Sequence, residues 1–129
     1  MSNYSTILLR FAAFFGLLGA ILGAHMAGAG SYAFRPVHAH VLVVGWLSLY
    51  AWAVYYKVFQ TKKSTLATVQ VWSAVIGTVG LTLGMWLYMV RPIELPTGAT
   101  LPLYIGGGVT LLISYIVFFF MTVLYKEEK

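Results

Sequence analysis

The chain has 129 residues, 60 % of them hydrophobic and 9 % charged, with a net charge of +5 and no cysteine. Soluble domains carry about a quarter charged residues, so this composition excludes an ordinary globular domain. The absence of thiols excludes disulfides, thiolate-held iron–sulfur clusters and a c-type haem attached through Cys-x-x-Cys-His. The expected fold is all-α, a homo-oligomeric integral membrane four-helix bundle in which residues 1–129 form a single transmembrane domain.

Four apolar stretches, at about 5–27, 36–57, 66–90 and 102–125, each supply the roughly 20 residues that a bilayer-crossing helix needs. The first carries a row of small residues, Gly16, Ala20, Ala24 and Gly28, with Gly19 and Gly23 beside it as a GxxxG pair. Such a row lets another helix approach closely, from the same chain or from a second subunit. Gly28-Ala29-Gly30-Ser31 then breaks the helix. Ala27-Gly28-Ala29 resembles a signal-peptide cleavage site, but the apolar run is too long for one and the only early basic residue, Arg10, lies well inside it.

Pro36 suits the first helical position of the second span, where its missing N–H costs nothing. The loop Gln60-Thr61-Lys62-Lys63-Ser64-Thr65 separates two helical hairpins. Gly77, Gly80 and Gly84 line the third helix and repeat the close-packing signal. Pro92 and Pro96 stop that helix, and Pro102 is expected near the start of the fourth, ahead of Gly106-Gly107-Gly108. Tyr32, Tyr50, Tyr55, Tyr56, Tyr104 and Tyr125 read as interfacial anchors rather than redox residues.

Lys and Arg in short loops stay on the cytoplasmic side. Arg10, Lys57, Lys62, Lys63, Lys126 and Lys129 fall with the N-terminus, the second loop and the C-terminus, while Arg35 and Arg91 alone fall in the other two loops. Both termini are therefore expected to be cytoplasmic, in a bacterial or archaeal cytoplasmic membrane. The positive charge is accounted for by topology and the lipid bilayer, with no nucleic-acid partner.

The three histidines are the residues that carry chemistry. Ionisable groups at membrane depth are costly and mark functional sites by default, and histidine is a common ligand of metals and haem iron. His38 and His40 fall in the first turn and a half of the second span, and His25 lies at the same end of the first, so all three gather about 5–10 Å below one membrane boundary. Residues two apart on a helix point about 200° from each other. One ion therefore cannot take both His38 and His40, whereas His25 can oppose either across the neighbouring helix, which allows a bis-histidine haem b.

Arg35 and Arg91 occupy the two loops above this layer. Guanidinium groups pair with carboxylates through bidentate hydrogen bonds, so both are candidates to hold haem propionates, with lipid headgroups as the competing partner. A bare ion is served less well. Zinc wants four ligands and the chain offers no Cys or Asp, and only Glu94 near this end, while copper could use His25 with the thioether of Met26.

The segment His38-Ala39-His40-Val41-Leu42-Val43-Val44-Gly45-Trp46 resembles the tenth helix of the catalytic subunit of haem-copper oxidases and nitric oxide reductases. In that family the residue matching His38 ligates the active-site haem and the one matching His40 the low-spin haem. The resemblance extends to a four-helix block with the His pair on its second helix and a propionate-binding arginine between the third and fourth, where Arg91 lies. The family subunit has twelve helices in pseudo-threefold arrangement, so a trimer of this chain would imitate it, with a dimer as the other arrangement. The family's copper site needs further histidines that this chain lacks, which separates it from oxygen reduction to water.

The expected function is a b-type haem protein of the membrane, with His25, His38 and His40 as iron ligands, serving electron transfer from a donor or binding of nitric oxide or oxygen. Two alternatives come from other classes. One is an accessory or assembly subunit of a respiratory complex without its own cofactor. The other is a small homo-oligomeric transporter, which the position of Glu94, Glu127 and Glu128 outside the spans disfavours.

Overall fold

The computed structural model describes residues 2–59 and 62–127, and among these it contains helices and no strands. Four helices are long and apolar enough to cross a membrane: α1 (Ser2–Ala29), α2 (Arg35–Val58), α3 (Thr65–Val90) and α4 (Thr97–Leu124). They begin and end within three residues of the expected bounds, except that α4 starts five residues early. Pro102 thus lies inside α4 rather than at its start. The helix begins behind Pro96, whose extended backbone caps it, and it tolerates the bond that Pro102 cannot make to the carbonyl of Gly98.

Local chemistry sets the remaining ends. Gly30 takes a positive φ of 63° just past α1, the left-handed geometry that glycine adopts without steric cost. Ser64 accepts the backbone N–H of Ala67 at 3.1 Å and caps α3. At the far end of α3, Arg91 takes φ 53° and Pro92 follows, so the helix cannot continue.

Two stretches depart from α geometry. In α2 the α-helical turn Arg35–His40 passes into a π-helix over Val41–Ser48 and back to α over Leu49–Val58, and α3 closes with a π turn over Trp86–Val90. The widened turn lengthens the bonding step to five residues. Ser48 Oγ takes up one carbonyl, donating to Val43 O at 3.0 Å.

The helices pair as two hairpins, α1 with α2 and α3 with α4, and polar contacts join the hairpins at the end that holds residues 4, 56 and 68. There Tyr4 Oη and Thr68 Oγ1 share a hydrogen bond of 2.6 Å, and Tyr56 Oη donates to Gln70 Oε1 at 2.8 Å. Further along, Trp52 and Tyr55 of α2 pack edge-on against Tyr115 and Phe118 of α4. Tyr55 and Tyr56, expected at the interface, are therefore buried in the core. The Tyr56 hydroxyl and the Tyr55 ring join the two hairpins instead.

Candidate functional site

Glycines on α1 position the upper part of α2. A methyl group on Gly23 would lie 3.1 Å from His38 Cε1, and one on Gly16 would lie 3.2 Å from Trp46 Cε3, with Leu42 filling the notch at Gly19. His38, Leu42 and Trp46 are each four residues apart. In a regular α-helix a four-residue step overshoots a full turn by about 40°. The π segment takes more residues per turn and cancels that drift, so three large side chains stack in line above three glycines. The π geometry is invisible in the amino-acid pattern, which reads as one continuous apolar span.

His38 is thereby half-buried, its ring set over Gly23 of α1. Its Nδ1 is enclosed and has no hydrogen-bond partner. His40 is held differently. Its Nδ1 lies 2.8 Å from the carbonyl oxygen of Pro36, one turn back on the same helix. A carbonyl can only accept, so in this contact Nδ1 carries the proton and Nε2 keeps its lone pair. A proline at position 36 and a histidine four residues later thus set a tautomer by local helix geometry alone.

His25 stands apart from this pair. With Gly23 facing His38, a residue two further along α1 is turned about 200° away, and His25 is exposed. Its ring meets Phe34, the residue before α2, edge-on at 5.5 Å between centroids. The structure therefore separates the three imidazoles by environment: one wedged between helices, one bonded to its own backbone and one exposed. Among the described residues no three His, Asp or Glu side chains form a group able to hold an ion.

Arg35 and Arg91 are both exposed. The Arg35 guanidinium sits 4.0 Å over the Tyr32 ring, and Arg91 Nε donates to Tyr88 O at 3.4 Å. Between the hairpins at this same end lies a cavity of about 470 Å³, walled by Phe14, Leu18, Phe34, Val41, Thr82 and Trp86 among others, with no histidine on its wall. The amino-acid pattern did not disclose it, because each of these residues reads as core or lipid-facing on its own helix. No family model, curated protein or solved structure matches this chain.

Proposed function

We propose that the chain is a b-type haem-binding membrane protein related to the haem-copper oxidase catalytic subunit, in which His40 is the primary iron ligand and the haem serves electron transfer or the binding of nitric oxide or oxygen. The observation that supports it is the His40 Nδ1–H donated to Pro36 O. Ligating histidines characteristically donate their second ring N–H to a carbonyl or carboxylate, which fixes the ring and raises the basicity of the nitrogen left free.

Haem suits this donor set better than a bare ion, because it brings four nitrogen ligands of its own and asks the protein for one or two. When bound, it supplies an iron centre that cycles between two oxidation states or offers an open position to a diatomic gas. The protein's share is positional. His40 presents Nε2, and His38, wedged against Gly23, holds the first turn of α2 in place against α1. His25, turned away from α2 in its own chain, is available as a second ligand only to another copy in a homo-oligomer. Arg35 and Arg91 are not required for this reading.

An optical spectrum in mild detergent tests it, taken oxidised, reduced with dithionite and then exposed to carbon monoxide. His40→Ala should abolish the Soret and reduced α bands, whereas His38→Ala should retain at least half of the haem. A colourless wild-type protein purified from cells supplied with haem would exclude the proposal and leave the accessory-subunit reading. Sharp reduced bands that carbon monoxide does not shift would assign electron transfer, and a shifted Soret band would assign gas binding.

A further inference from the structure

The cavity between the hairpins is a second site, independent of the histidines. Its walls come from three helices: Phe14, Leu18 and Leu22 of α1, Val41 of α2, and Thr82 and Trp86 of α3. Thr82 supplies the only hydroxyl, and that hydroxyl is already donated to Thr78 O at 2.7 Å. No charged residue lines the wall, and apart from the Thr82 hydroxyl and the Trp86 indole N–H its side chains are hydrocarbon, so an apolar chain is the occupant it suits. Because no histidine reaches the wall, a haem held through His40 is not that occupant.

The mouth has the opposite character. Arg35 directly follows Phe34, a wall residue, and the backbone N–H of Arg91 donates to the carbonyl of Trp86, another wall residue, at 3.3 Å. Both arginines are exposed. A guanidinium has five N–H donors, and the contacts to Tyr32 and Tyr88 O leave most of them free. Glu94 shares the third loop, which leaves two cations against one anion at the rim.

We propose that this cavity binds an anionic phospholipid, with one acyl chain between the hairpins and the phosphate at Arg35 and Arg91. An oily slot alone would accept any lipid chain. Arg35 and Arg91, one residue and one helical turn from wall residues, would select for negative charge, since each cation near a membrane surface strengthens the attraction of anionic headgroups several-fold. The bound chain would act as a wedge between the α1–α2 and α3–α4 hairpins at the end where no hydrogen bond joins them among the described residues.

Native mass spectrometry of the full-length protein, released from membranes with equal phosphatidylglycerol and phosphatidylcholine of matched chains, tests the site. The wild type should retain phosphatidylglycerol over phosphatidylcholine by roughly tenfold. In the double variant Arg35→Gln, Arg91→Gln the preference should fall to within about twofold, while Arg35→Lys, Arg91→Lys should keep most of it. Val79→Phe, which adds bulk at the cavity wall, should lower retention of both lipids. Equal retention by the wild type, a preference that survives the double variant, or occupancy indifferent to Val79→Phe would each overturn the proposal, as would a retained haem in place of lipid. His40→Ala should lose the haem spectrum and keep the lipid preference, which separates this site from the function proposed above.

Discussion

The two hairpins use the same residue type for different ends. In α3–α4 the glycines bring backbone to backbone: a methyl group on Gly84 would lie 2.5 Å from Tyr104 Cα, and one on Gly107 would run into the main chain of Gly80 and Leu81. In α1–α2 the glycines are notches for side chains, receiving His38, Leu42 and Trp46, while Gly45 on α2 receives Phe15. The first arrangement is rigid, because a backbone cannot step aside. The second is adjustable, because a ring or a leucine can turn. The hairpin that carries all three histidines is therefore the adjustable one, and the other serves as its fixed support.

The largest effect expected from this contrast is at Gly107. Its Cβ would fall on main-chain atoms of α3, so Gly107→Ala should destabilise by about 3 kcal/mol, the upper end for overpacking, measured as a lowered midpoint in denaturing-detergent titration. A loss below about 1 kcal/mol would mean that the α3–α4 contact is as yielding as the other. The seam between the hairpins comes next. Tyr56→Phe strands the buried carbonyl of Gln70, which is 0 % exposed, and should cost about 1–2 kcal/mol. Gln70→Leu removes the amide together with its unpartnered Nε2 and should cost less than Tyr56→Phe. The reverse order would show that Gln70 Nε2 has a partner in the assembled protein.

The smallest effect should be at Gly23. Its Cβ meets only the His38 ring at 3.1 Å, which can shift by a few tenths of an ångström, and Ala gains roughly 0.5–1 kcal/mol of helix propensity over Gly. Gly23→Ala should then change stability by less than about 1 kcal/mol. Under the haem proposal it should leave the spectrum of His40-ligated haem in place. A large spectral change would move the iron from His40 to His38.

Helix number, the hairpin division and most of the helix ends were legible in the residues, since runs of about 20 apolar residues and Gly, Pro and Ser punctuation act within one turn of chain. That His38 and His40 lie on one turn was legible for the same reason, but the different settings of His25, His38 and His40 were not. The stripe on α1 was legible only as a class. Gly16, Gly19 and Gly23 prove to be occupied within the chain, whereas a side chain at Gly28 would meet nothing within 4 Å. Periodicity shows that a face is small, but not which neighbour fills it.

The amino-acid sequence by itself determined that this is a helical protein with four stretches long and apolar enough to cross a membrane and with its three histidines near one end of the first two, because hydropathy, backbone punctuation and residue identity are local properties. Only the tertiary structure decided that His38 faces α1 while His25 turns away from it, that Tyr55 and Tyr56 belong to the core, and that α2 widens into a π-helix. It also decided that a slot opens between the hairpins below two arginines. Each of these depends on which surfaces of separate helices meet, and that is settled by packing across the bundle rather than along the chain.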